Sequence, residues 1–147
     1  MSFASLRSWL HAGLLAAALC GTNAYAIDIT PSGNLRTAIA ALRPGDELVL
    51  GGGTYNMSSA FRVTVVGTQQ QPITIRAKAG ERPRIHMGTG AQNIIEVSAS
   101  RYVIFRGIEF TGGSHGIRLM DSDFVTIEEC EIHETGDVAL SANSGGT

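Results

Sequence analysis

Few residues in this sequence could move a proton or neutralise a charge, and most of them fall in its last third. His133 lies in Glu131-Ile-His-Glu-Thr-Gly-Asp137, beside three carboxylates. A histidine among acids has neighbours suited to a general base or a metal ligand, although such histidines are also frequent on plain surfaces. Glu109 and Glu131 stand 22 residues apart and could act as paired carboxylates at a glycosidic bond. Arg106 and Arg118 could bind an anionic group. Asp121-Ser-Asp123 could offer oxygen ligands to calcium, or could simply form a turn. His115 could approach Asp137, His86 has no obvious partner, and Lys78, in Arg76-Ala-Lys-Ala-Gly80, is read as solvated charge. The chain has no phosphate loop, no Cys-x-x-Cys pair and no His-Glu-x-x-His motif.

These side chains need a frame, and a repeat supplies it. Tyr102-Val-Ile-Phe-Arg-Gly-Ile-Glu-Phe110 aligns without a gap on Phe124-Val-Thr-Ile-Glu-Glu-Cys-Glu-Ile132, 22 residues on. A second strip recurs as Ile95-Glu-Val97, Ile117-Arg-Leu119 and Val138-Ala-Leu140, at spacings of 22 and 21. Each strip alternates apolar with polar residues, the two-residue period of a half-buried strand. Gly112-Gly113, Asp121-Ser122 and Thr135-Gly136 fall between strips as turns. Short strands in turns of about 22 residues, stacked one on the next, predict an all-β, right-handed parallel β-helix.

The register follows from the repeat. Val103, Phe105, Ile108 and Phe110 point inward, under Val125, Ile127, Cys130 and Ile132. Cys130 is then a core residue with an inert thiol. Outside, Arg106 meets Glu128 and Glu96 meets Arg118, surface ion pairs worth about 0–1 kcal/mol each. Glu109 under Glu131 sets like charges one strand apart, which weakens a sheet. Solvent screening is the simpler account of that row; a cation, a substrate group or a nearby arginine is the other.

The beginning of the chain has a different character. Arg7, the apolar run Leu10 to Cys20 and Ala24-Tyr-Ala26 make residues 1–26 a secretory signal. The run is too short for the ~20 residues of a membrane span, so the expected location is secreted or periplasmic, with no membrane attachment after cleavage. Removal of 1–26 leaves 121 residues with net charge −3 and Cys130 as the only cysteine, so no disulfide within the chain. The basic residues form no run, which argues against nucleic acid as a partner. Asn34 to Arg43 carries Leu35, Ile39 and Leu42 on one helical stripe before Pro44-Gly45. This is an N-terminal capping α-helix for the solenoid, with Leu48-Val-Leu50 opening the first turn. No second cap is visible near Ser144-Gly-Gly-Thr147. Residues 27–147 are therefore expected to be the N-terminal part of a longer β-helix domain, and to be inactive and poorly soluble alone.

Leu42-Arg-Pro-Gly-Asp-Glu-Leu-Val-Leu50 with Gly53-Thr-Tyr55 is similar to the opening of secreted right-handed β-helix proteins of the chondroitinase B and alginate lyase type. Gly67-Thr68 with Pro72-Ile-Thr-Ile-Arg-Ala77 resembles their second turn, and Tyr102 to Glu134 resembles the generic turn of the superfamily. The resemblance implies an acidic polysaccharide as partner and β-elimination as reaction. A base removes the C5 proton of a uronate while calcium or arginine neutralises its carboxylate. It carries no catalytic residue onto this chain. The other expectations are a non-catalytic carbohydrate-binding or adhesion protein and, third, a glycoside hydrolase acting through a pair such as Glu109 and Glu131.

Overall fold

The computed structural model describes residues 24–59, 61–88, 90 and 92–143. The expected signal sequence falls almost wholly on residues 1–23, outside the described residues. Its last residue, Ala26, opens the first strand opposite Glu47.

Among the described residues, thirteen strands and one helix follow in order. They are β1 (Ala26–Ile29), α1 (Leu35–Ala40), β2 (Glu47–Leu50), β3 (Gly53–Met57), β4 (Arg62–Val63), β5 (Ile73–Ala77) and β6 (Pro83–Met87). Then come β7 (Ile95–Ser98), β8 (Arg101–Arg106), β9 (Glu109–Gly112), β10 (Ile117–Met120), β11 (Asp123–Glu128), β12 (Glu131–His133) and β13 (Leu140–Asn143). All pairings are parallel, and the strands sort into three sheets. Sheet A runs β1-β2-β5-β8-β11, sheet B β3-β6-β9-β12 and sheet C β4-β7-β10-β13. The chain visits A, B and C in turn and climbs one rung per circuit, so it is the parallel β-helix that the 22-residue repeat predicts.

Alternation sends one column of each sheet inward. Ile27, Leu48, Ile75, Phe105 and Ile127 stack in sheet A. Tyr55, Ile85, Phe110 and Ile132 stack in sheet B. Val63, Val97 and Leu119 stack in sheet C. All belong to one apolar core or pack against it, and each fully buried aliphatic or aromatic side chain contributes about 1.5–3 kcal/mol. Val103, Phe105, Ile108 and Phe110 are fully buried, as the repeat requires, while Val125, Ile127, Cys130 and Ile132 on the last rung are partly buried.

The corners repeat as faithfully as the strands. Ala99 and Asp121, Tyr102 and Phe124, Gly107 and Glu129, and Gly112 and Glu134 all have positive φ, and each pair is separated by one turn of the repeat. Non-glycine residues adopt this left-handed conformation uncommonly. Here a one-residue change of direction lets the chain leave one sheet and enter the next. At the corner from C to A, Ser100 is fully buried. Its hydroxyl donates to the Val63 or Ser98 carbonyl and accepts from the Val65 amide at 3.1 Å. Ser122 repeats the motif one rung on, bonded to the Ser100 amide and the Met120 carbonyl.

Three expectations need correction. Leu48-Val-Leu50 is not the first rung of sheet A, because β1 pairs ahead of it; a four-residue strand ending at Ile29 gave no repeat to align. The helix is shorter than Asn34–Arg43. It begins after Asn34, whose Oδ1 accepts from the Thr37 amide at 3.0 Å, and ends at Ala40. Leu35 and Ile39 bury against the core, and the helix packs on β1 and β4, where sheet C has no earlier strand. It caps the solenoid as expected. Finally, Ile117 pairs with Leu140, not Val138. The turn before β13 is two residues longer than the strip suggests, and a slip of two preserves which side chains face inward.

Candidate functional site

Sheet B turns two polar rows outward. Thr54, Arg84, Glu109 and Glu131 form one, and Asn56, His86, Thr111 and His133 the other. Their positions follow from Pro83-Arg-Ile-His-Met87 and Glu109-Phe-Thr111, in which Ile85, Met87 and Phe110 must face the core. Here the structure brings together His133, Glu109 and Glu131, and adds two arginines that the repeat did not reveal as partners.

Glu109 is the centre of the group. Its side chain is only 9% exposed, and its Oε1 accepts from Arg84 Nε at 2.8 Å and from His133 Nε2 at 3.0 Å. An ionised carboxylate only accepts, so Nε2 is the ring nitrogen that carries the proton. Burial disfavours the Glu109 charge, but the His133 and Arg84 bonds outweigh it and hold the carboxyl below its usual value. His133 Nδ1 lies 4.0 Å from Glu134 Oε1. Arg82 Nη1 donates to Glu131 Oε2 at 2.8 Å. The stacked glutamates are thus compensated by one arginine each, and the expectation of solvent screening alone is overturned. Beside them Thr111 is buried, its Oγ1 2.9 Å from His86 Nδ1, so His86 has a partner after all. An open depression of about 340 Å³ adjoins the row, lined by Gly53, Thr54, Arg82, Arg84 and Glu109.

The remaining candidates lie elsewhere. Arg106 is on the outer face of sheet A, paired with Glu128 as expected and one rung from Arg76. Arg118 is on sheet C, 3.9 Å from Glu96, which binds Arg62 more closely at 3.1 Å. Asp121 and Asp123 flank the corner from C to A, and the Asp123 carboxylate accepts from Arg101 Nη2 at 2.6 Å. Among the described residues no group of three or more His, Cys, Asp or Glu is disposed to hold a metal ion. His115 lies 3.5 Å from Asp137, as its position in the turn suggests, and Lys78 lies 3.7 Å from Glu81. Burial pushes the Cys130 thiol up, consistent with an unreactive core residue.

Arg82 and Arg84 were the residues missed. The alternation Arg84-Ile-His-Met could have turned Arg84 outward, but its column partner lies 25 residues on, not 22. A carboxylate-oriented imidazole beside exposed guanidinium groups can exchange a proton and hold an anion.

Comparison with known proteins agrees with this architecture. The model of the family described as "Pel9A-like, right handed beta helix region" matches residues 22–147. Pectate lyase L of Thermoclostridium stercorarium is 26% identical over 111 residues, covering 73% of this chain and 9% of that protein. The crystal structure of an alginate lyase from Paenibacillus sp. str. FPU-7 superposes with a TM-score of 0.69 at 28% identity, over 82% of this chain and 44% of that one. The chain therefore spans less than half the length of either relative.

Proposed function

This chain belongs to the family of Pel9A-like right-handed β-helix regions, and from that premise we propose that the full-length protein cleaves an acidic, uronate-containing polysaccharide by β-elimination. The observation that carries the proposal is the pair of relatives, one named for pectate and one for alginate. Both polymers are chains of uronates, and a lyase is named for each. Export, expected from residues 1–26, would bring the protein to such a polymer outside the cytoplasm.

The chemistry needs a base at C5 and a partner for the uronate carboxylate as charge develops on it. His133 is the candidate base on this face. Glu109 fixes the ring through Nε2, leaving Nδ1 to accept a proton. The C5 electron pair then forms the C4–C5 double bond as the C4–O4 bond breaks, O4 takes up a proton from water, and the new end is an unsaturated uronate. Arg106 and Arg118 face away on sheets A and C, so they cannot neutralise a carboxylate held at His133; Arg82 and Arg84 lie on the same face.

A binding or adhesion role is the second reading, favoured by ion-paired rows on all three outer faces. The full-length protein should be incubated with pectate, alginate and chondroitin. Ultraviolet absorbance from unsaturated uronate is the expected result. New reducing ends without that absorbance mean a hydrolase, and retention on a polymer without product means the binding protein.

A further inference from the structure

We propose that the depression beside Glu109 is a binding subsite for one uronic acid residue, with Arg82 and Arg84 holding the sugar's carboxylate and Glu109 its hydroxyls. The ligand class rests on the acidic-polysaccharide reading above; the existence of the subsite rests on geometry alone.

Two observations make the site. The first is a spare set of donors. A guanidinium has five N–H groups. Arg84 commits Nε to Glu109 and Arg82 commits Nη1 to Glu131, and both side chains are about half exposed or more, at 49% and 63%. Each therefore keeps terminal N–H groups at the wall of one cavity. Guanidinium groups that line one depression offer the paired N–H donors that match the planar, two-oxygen shape of a carboxylate.

The second is an acceptor already desolvated. Glu109 is nine-tenths buried, and both of its bonds, from Arg84 and from His133, go to Oε1. Neither of those bonds uses Oε2, and Glu109 itself lines the cavity. A buried carboxylate paired with Arg84 repels a second free anion placed on it but accepts from sugar hydroxyls. The Thr54 hydroxyl, which lines the same depression one rung from Arg84, can donate or accept. Guanidinium donors for an acid group, with a carboxylate and a hydroxyl for sugar hydroxyls, in one depression describe a uronate better than phosphate, sulfate or a neutral sugar. The volume, about 340 Å³, is at the lower end for small-molecule sites, suited to one sugar unit.

The test is titration of the full-length, 15N-labelled protein with digalacturonate and, separately, with its methyl ester. The expected result is shifted amide signals of Gly53, Thr54 and Arg84 with the acid but not with the ester. Arg82→Gln should weaken that response about tenfold or more, and Arg84→Gln should do the same if it folds. Arg76→Gln, which removes an equal charge from sheet A, should leave it unchanged. Shifts confined to other faces, equal response to the ester, or an unaltered Arg82→Gln titration would overturn the subsite. None of those outcomes bears on whether unsaturated product forms, so the lyase reading and this one can fail separately.

Discussion

Arg84 and Glu109 form one ion pair, yet the two halves should behave very differently when removed. Glu109 is 9% exposed and Arg84 49%. Arg84→Met keeps the aliphatic stem but leaves a buried carboxylate with His133 as its remaining donor. Loss of a hydrogen bond to a charged group costs about 1.5–3 kcal/mol, and the burial that His133 and Arg84 now outweigh together would press on Glu109 alone. Glu109→Gln leaves an arginine already half in water and keeps an amide oxygen for it to donate to. That change should cost about 0–1 kcal/mol, as for an exposed pair. Urea unfolding of both variants at pH 7 measures the difference. The sign of its pH dependence is fixed. Glu109 titrates below its unfolded value in the folded chain. Its stabilisation is therefore complete above that unfolded value, about 4.3, and disappears as pH falls through the folded one. The gap between the two variants should close as pH falls through the titration of Glu109 in Arg84→Met. There the carboxyl has lost its arginine and is neutralised at higher pH than in the unaltered protein. A Glu109→Gln variant as destabilised as Arg84→Met at pH 7, or a gap that persists once the carboxyl is protonated in both states, would refute the assignment.

Other consequences can be measured in the same way. Ser100→Ala strands the buried Val65 amide and should cost about 1–3 kcal/mol in urea unfolding. Phe105→Ala, inside the sheet A column and edge-on to Phe110, should cost about 3–5 kcal/mol, with Ile127→Ala on the partly buried last rung costing less. Gly112 has φ +78° and an added Cβ would stand 2.3 Å from the Met87 carbonyl oxygen, so Gly112→Ala should lower the unfolding free energy by more than the ~1–2 kcal/mol of a left-handed alanine. The Cys130 thiol should react with an alkylating reagent only slowly at pH 8 in the folded protein and rapidly after unfolding, because burial raises its pKa.

What could be read in advance depended on where the period held. Between Tyr102 and Ile132 the register is 22 in sheets A and B, and the inward residues, the Arg106–Glu128 pair and the Glu109–Glu131 row all followed. Earlier rungs are longer: Glu47 pairs with Thr74, Ile73 with Val103 and Gly53 with Pro83. Extra residues sit in the corners, so columns that are continuous in space have no fixed spacing in the chain. That hid Arg84 from Glu109, His86 from Thr111 and Arg62 from Glu96. Glu109 therefore passed for an exposed charge. The left-handed corners were hidden for another reason. Ala99, Tyr102 and Phe124 carry no glycine-like signature, and only closure of the ring imposes their φ.

The parallel ladders give the molecule a mechanical direction. The inter-rung hydrogen bonds of parallel ladders lie close to the solenoid axis, and β1 and β13 belong to the first and last described rungs. Tension applied between residues 26 and 143 would load those bonds lengthwise and few at a time, so the rungs would peel in sequence at modest force. Tension between two points on one rung would instead be borne by the covalent chain. A protein built this way resists being stretched around its circumference and yields from its ends.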